Sequence, residues 1–174
     1  MFKLYNFAAY QLAWFAVILG AAHGHAWAGT AVALLVTVVH LWMRRDPLEL
    51  KLVGVAAVMG LVLDSALAAS GQVRFASAGS LPIAPFWMLA LWMAFATTLN
   101  HSLRWLMRRP VVAAIGGAVF GPLAYLAGEK LGALTLPSPV IALPLLAVAW
   151  MAAMSVFSLV MRPALDPAAR SFPA

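Results

Sequence analysis

Residues 50–71 read LKLVGVAAVMGLVLDSALAASG. Apart from Lys51 at its start and Asp64 beyond its middle, the stretch carries no charge. It exceeds the roughly 20 apolar residues that cross a hydrocarbon layer about 30 Å thick. As a helix it is a membrane span. Working outward, comparable runs cover 6–24, 26–44, 83–108, 110–134 and 138–162. Gly24, Asp46 with Pro47, Gly71 through Pro85, Pro110, and Pro137 through Pro139 punctuate them as helix boundaries do. The connections are short, so consecutive helices run antiparallel. The expected fold is all-α: a single polytopic bundle over 1–174 with six transmembrane helices.

Composition agrees. Apolar residues make up 65% of the chain and charged residues 9%, where a soluble domain carries about 25% charged residues. Too few polar groups exist to cover a water-facing surface, so lipid is the expected solvent. The net charge of +6 does not point to nucleic acid. The basic residues sit at the ends of apolar runs and not along one amphipathic face, a pattern of membrane orientation and attraction to anionic headgroups. Of 11 lysines and arginines, Lys3, Arg44, Arg45, Lys51, Arg104, Arg108, Arg109, Arg162 and Arg170 fall on one side of a six-span bundle. Only Arg74 and Lys130 fall on the other. The positive-inside rule makes the first side cytoplasmic and places both termini there.

Residues 1–28 could be read as a signal peptide ending in His25-Ala26-Trp27-Ala28, but a lone Lys3 is a weak charged start and Tyr10 and Gln11 interrupt the apolar region. The segment is therefore read as the first helix. Trp14, Trp27, Trp42, Trp87 and Trp105 fall near span ends, as interfacial belts do, with Trp92 and Trp150 deeper.

Polar residues inside spans cost free energy and usually face the bundle interior. Thr97, Asn100, His101 and Arg104 follow i, i+3, i+4, i+7 spacing on one face of the fourth helix. Thr37 and His40 lie at similar depth on the second helix, and the first brings Asn6, Tyr10 and Gln11 to the same side. These nine residues form a candidate cytoplasmic-side polar cluster. A second candidate lies in the outer half. Asp64 is roughly 20 Å beyond Lys51 at 1.5 Å per residue, and its face also holds Val53, Ala57, Gly60, Ala68 and Gly71, mostly small residues that admit a neighbouring helix. Tyr125 and Glu129 approach that side on the fifth helix, with Glu129 expected at the solvated interface beside Lys130. His23 and His25 approach it too. Gly117, Gly121, Gly128 and Gly132 form a small-residue stripe on the fifth helix, expected to be a close packing seam, with Pro122 as a kink.

The absence of cysteine excludes disulfides, thiolate catalysis and cysteine-ligated metals. Four histidines are too few for the histidine boxes of membrane di-iron enzymes. His40 and His101 as haem ligands are a minor reading, and His23 and His25 at i, i+2 do not share a helical face. No metal and no cofactor is expected, and the reading leans away from an enzyme.

Asn6, Tyr10 and Gln11, Trp14 and Phe15, Asp64, Trp87 through Trp105, and then Gly121, Pro122, Tyr125, Gly128, Gly132 and Ala133 together resemble a bacterial family known as domain of unknown function 2878. The resemblance spans nearly the whole chain and is most specific in the fourth and fifth helices. It implies a multi-pass protein of the bacterial inner membrane with no established activity. It also implies a lipid-related role, because such genes often lie near fatty-acid-modifying enzymes such as cyclopropane-synthase-like methyltransferases. The leading expectation is an accessory factor in membrane lipid (fatty-acyl) modification or envelope maintenance. Its partners would be membrane lipids and another membrane or peripheral protein of lipid metabolism. The alternatives are a small proton- or cation-coupled transporter using Asp64, and a lipid-modifying enzyme using His40, Asn100 and His101.

Overall fold

A computed structural model describes residues 2–79 and 81–166; Arg170 lies outside the described residues. The chain forms α1 (Phe2–Ala22), α2 (Ala26–Arg44), α3 (Pro47–Ala69), β1 (Arg74–Phe75), α4 (Phe86–Leu99), α5 (Arg104–Met107), α6 (Pro110–Lys130), β2 (Leu134–Thr135) and α7 (Pro139–Leu165). Prolines open α3, α6 and α7 in the first turn, where the missing N–H has no helical partner to lose. Asp46 caps α3 by accepting from the Leu48 N–H at 2.9 Å.

Five of these helices are long and apolar enough to cross a membrane: α1, α2, α3, α6 and α7. Large apolar side chains such as Phe120 and Val140 remain on the outside of the bundle, which suits a lipid solvent and not water. The chain is a multi-pass membrane protein.

The continuous span expected over 83–108 is not formed. In its place stand the fourteen residues of α4, about 21 Å at 1.5 Å per residue, then a break at 100–103 and the four residues of α5. Pro82 and Pro85 delay the start of the helix. At its end, Thr97 and Thr98 turn their hydroxyls onto the Ala94 and Phe95 carbonyls at 2.7 Å. The Asn100, His101 and Ser102 side chains are then drawn into contacts with α1 and α3 that a continuing helix would prevent. Ten of the fourteen α4 residues are buried. This short helix is the axis of the bundle, packed against α1, α2 and α3, while α6 pairs with α7.

A tryptophan pair keys four helices together. Trp92 of α4 stacks on Trp150 of α7 with centroids 4.5 Å apart and planes 13° from parallel. A β-carbon on Gly60 of α3 would overlap the Trp92 ring, and one on Gly121 of α6 would overlap Trp150. The stacked indoles are seated between two glycines. Gly117 likewise admits the Trp150 carbonyl and Met154, so α6 approaches α7 closely at Gly117 and Gly121. A β-carbon on Gly128 would stand 3.3 Å from Leu134 Cδ2, tight but against the end of a flexible side chain, and Gly132 lies beyond the end of α6. Its φ of +86° belongs to the turn that follows, a conformation that favours glycine. The stripe therefore stops short of its expected length. α6 continues through Pro122 as helix. Trp87 is not a belt residue: it is fully buried and donates its indole N–H to the Ala76 carbonyl at 3.0 Å.

At the end opposite the basic loops, β1 and β2 pair antiparallel, Arg74 with Thr135 and Phe75 with Leu134. There α1 meets the end of α6, with the Gly132 position 3.6 Å from the Ala22 β-carbon. Toward the basic end α1 and α6 separate, leaving a groove between them.

Candidate functional site

Most of the buried polar residues gather around two carboxylates on one face of α3. At the basic end the hub is Glu49, which sequence reasoning missed. Its carboxylate is fully buried and accepts three hydrogen bonds. Asn100 Nδ2 donates to Oε1 at 2.8 Å, His101 Nε2 meets Oε1 at 2.8 Å, and His40 Nε2 meets Oε2 at 3.1 Å. A second tier fixes these donors. Arg104 donates to Asn100 Oδ1 at 2.7 Å and to the Ala164 carbonyl at 3.2 Å. Asn6 donates to the Thr97 carbonyl at 3.1 Å and accepts from the Ser102 hydroxyl at 2.8 Å.

That pair of contacts orients the Asn6 amide, because a carbonyl only accepts and the Ser102 N–H, also on Asn6 Oδ1, only donates. Asn6 Nδ2 therefore faces His40 Nδ1, at 3.5 Å. His40 consequently carries its proton on Nε2 and gives it to Glu49. Phe2 covers the group, its ring edge-on to His101 with centroids 5.0 Å apart and the Arg44 guanidinium 4.6 Å above it.

Of the nine residues expected to converge here, Asn6, His40, Asn100, His101 and Arg104 share this network, and Thr97 joins through its carbonyl. Thr37 is buried but bonds its own helix at the Ala33 carbonyl. Tyr10 and Gln11 do not join. Tyr10 stands one turn beyond Asn6 on the same side of α1, where it packs edge-on to Phe95, and Gln11 lies on another face; both line the groove beside α6. Glu49 escaped attention because it stands beside Asp46 and Lys51, where an acid in a first helical turn reads as ordinary capping charge. The signal was present. Stepping back four residues from Val53 on the Asp64 face leads to Glu49.

The second centre is Asp64, fully buried. It accepts from Trp92 Nε1 at 2.7 Å and from the Tyr125 hydroxyl. The acceptor and both donors sit on helices of the tryptophan key: Gly60 lies one turn before Asp64, Trp92 belongs to the stack, and Gly121 lies one turn before Tyr125. Glu129 does not take part. Nor is it simply solvated, for its half-buried carboxylate accepts from the Leu136 N–H at 2.7 Å and ties down the turn after α6. His23 bonds the Leu19 carbonyl and is exposed, as is His25; they form no pair.

Three cavities adjoin through shared lining residues. A groove of about 780 Å³ runs between α1 and α6, lined by Tyr10, Trp14, Phe15, Phe95, Phe120 and Trp150 among others. Its inner wall is shared with a small cavity of about 40 Å³ bounded by Trp92 and Tyr125, the donors to Asp64. At the basic end, Trp105 is common to the groove and to a pocket of about 400 Å³ walled by Lys3, Arg104, Arg108 and Arg109.

Among the described residues, two imidazoles and a carboxylate at His40, Glu49 and His101, with ligand atoms within 4.8 Å of one another, are able to hold a metal. They are not placed for haem, because Glu49 occupies the space between the two rings that a porphyrin needs.

A family model described as "Protein of unknown function (DUF2878)" matches residues 3–156, which takes in both carboxylate centres and the groove. The chain belongs to this family. No curated protein and no solved structure matches it. The match ends within α7, and the DUF2878 region so defined includes every residue of the Glu49 network except the Ala164 carbonyl.

Proposed function

We propose that this protein seats one anionic phospholipid against its α1/α6 face and serves as an accessory factor in membrane lipid modification. We further propose that it lies in the bacterial inner membrane with the basic end cytoplasmic, on the strength of the positive-inside count. One observation carries the lipid reading: an apolar groove of about 780 Å³ opens, past Trp105, onto a pocket of four cationic side chains. The groove is within the range of about 300–1,000 Å³ typical of small-molecule sites. Its aromatic and glycine lining suits acyl chains, and the cations suit a phosphate headgroup. Arginine favours this use, since its planar fork meets phosphate oxygens in pairs. A lipid held there is accessible to a peripheral or membrane partner acting on its acyl chains.

Lipid retention in the purified protein tests the reading. Native mass spectrometry should show retention of phosphatidylglycerol over phosphatidylcholine of the same chains. Replacing Arg108 and Arg109 by alanine should weaken it about 30-fold, at about 1 kcal/mol for each cation near an anionic surface. Ala124→Trp should block the groove with the cations intact and reduce retention of both lipids. Equal retention of the two lipids by the wild type would sink the proposal.

A further inference from the structure

The Glu49 network has a property that its hydrogen bonds do not account for. A fully buried carboxylate is costly unless its charge is compensated, and among the described residues no lysine or arginine pairs with it. Arg104, the nearest cation by connection, spends its guanidinium on Asn100 and the Ala164 carbonyl. What faces the carboxylate instead is two imidazole Nε2 atoms, one on each oxygen, at 3.1 and 2.8 Å. Two neutral imidazoles and one carboxylate form the donor set of many three-residue zinc and non-haem iron sites.

We propose that His40 Nε2, His101 Nε2 and the Glu49 carboxylate bind one divalent first-row transition ion, zinc or ferrous iron by ligand type, leaving a fourth position for water or a small ligand.

Ligand spacing supports this. Atoms each about 2.0–2.2 Å from a tetrahedral ion stand roughly 3.3 Å from one another. The carboxylate-to-imidazole separations are 2.8 and 3.1 Å, and all three ligand atoms lie within 4.8 Å of one another. Shifts of a few tenths of an ångström open the oxygen–nitrogen contacts, and the two imidazoles draw inward. The three ligands come from α2, from the first turn of α3, and from the break after α4. That break is where a helix of membrane length is interrupted, and its interruption is what delivers His101 and Asn100 to Glu49. The supporting tier is in place as well: Asn100, held by Arg104, fixes one carboxylate oxygen from outside, as partners of metal-ligating carboxylates do.

An approach to the site exists. A cavity of about 190 Å³ between α1 and α2 is bounded by Phe2, Asn6, His40 and Thr97 among others. A water or small ligand reaches His40 through it, without passing the α1/α6 groove.

Binding at His40 Nε2 requires the ring proton on Nδ1, opposite Asn6 Nδ2. That Asn6 contact is long, 3.5 Å, and metal binding gives it up together with the two imidazole bonds to Glu49, which the ion replaces. Tautomerisation moves the proton within each ring, so no net proton leaves either histidine when it starts neutral. The carboxylate charge then meets the ion in place of two N–H donors.

The test uses the full chain, purified in detergent, stripped with chelator and dialysed against Zn²⁺ or Co²⁺. The expected result is one zinc per chain by elemental analysis. The Co²⁺ form should show visible d–d absorption of a four-coordinate nitrogen and oxygen site. His101→Gln and Glu49→Gln should each lower zinc affinity at least 100-fold. His40→Gln keeps an N–H donor for Glu49, so it supplies a folded variant if Glu49→Gln does not elute as a single species, and it should lose the d–d band. Less than half an equivalent of zinc on the folded wild type at saturation overturns the proposal. So does a folded His101→Gln or His40→Gln variant that binds as tightly as wild type.

Discussion

Glu49 and Asp64 share one face of α3, fifteen residues or roughly 22 Å apart, and both carboxylates are fully buried. Their partners differ in kind. Asp64 is met by an indole and a phenol, the first of which donates only and never accepts. The indole is wedged in place by its stack on Trp150 and by the glycines on either side of that stack. Glu49 is met by two imidazoles and an amide, groups that exchange donor and acceptor roles by moving one proton or rotating once. One acid is locked into packing, while the other sits in a network that can be rearranged at little cost. A buried carboxylate in a membrane bundle is thus not by itself a sign of chemistry. The adaptability of what surrounds it separates a fastener from a site.

The largest effect should come from cutting the fastener. Asp64→Leu leaves the Trp92 N–H and the Tyr125 O–H without an acceptor in a dry interior, at about 1–3 kcal/mol for each stranded donor. Thermal unfolding in detergent should show a destabilisation of about 2–6 kcal/mol, and membrane abundance should fall with it. Asp64→Asn should be tolerated far better, because its carbonyl can serve Trp92 while its NH₂ donates to a reoriented Tyr125 oxygen. An Asp64→Asn protein that is stable and abundant but has lost a transport activity would reverse the comparison, making Asp64 the site.

A smaller effect tests the packing that holds Asp64's donors. Gly121→Ala drives a β-carbon into the Trp150 ring, an overpacking that costs about 1–3 kcal/mol. Gly128→Ala meets Leu134 at 3.3 Å, at the end of a flexible side chain, and should shift the melting midpoint little. Equal losses for the two would mean that the stripe acts as one uniform seam and that the tryptophan key has no special weight.

Much of this was legible in the residues because it rests on periodicity. Asp64 with its small neighbours follows from helical spacing, and the common depth of His40 and His101 follows from their distance to the basic ends. What spacing does not encode is where a helix stops for tertiary reasons. Residues 83–108 are apolar enough to continue, yet α4 ends at Leu99, where side chains 100–102 bond Asn6 and Glu49. Glu49 itself was hidden by position: an acid in a first turn, between Asp46 and Lys51, has the appearance of surface charge until α4 and α2 close over it. Tyr10 and Gln11 stand apart from the network because depth along α1 also counts: Asn6 meets Thr97 and Ser102 at the end of α4, while Tyr10, one turn on, meets Phe95.

The smallest effect should come at Glu49, where the comparison is most exposed. Glu49→Gln keeps one carbonyl oxygen, which can stay with Asn100 Nδ2 and His101 Nε2, and places an NH₂ opposite His40. An indole there would be left donor against donor. His40 instead moves its proton from Nε2 to Nδ1 and presents a lone pair to the new amide, giving up only the 3.5 Å contact with Asn6. One weak hydrogen bond is worth about 0.5–1.5 kcal/mol, so the loss of stability should stay in that range, well below that of Asp64→Leu. The rearrangement has its own signature. In ¹⁵N-histidine-labelled protein, the His40 resonances should change from the Nε2-protonated to the Nδ1-protonated pattern, while His23 and His25 at the far end stay unchanged. A variant that melts as early as Asp64→Leu, with His40 still protonated on Nε2, would show that the Glu49 network is as rigid as the Asp64 one and that the distinction between them does not hold.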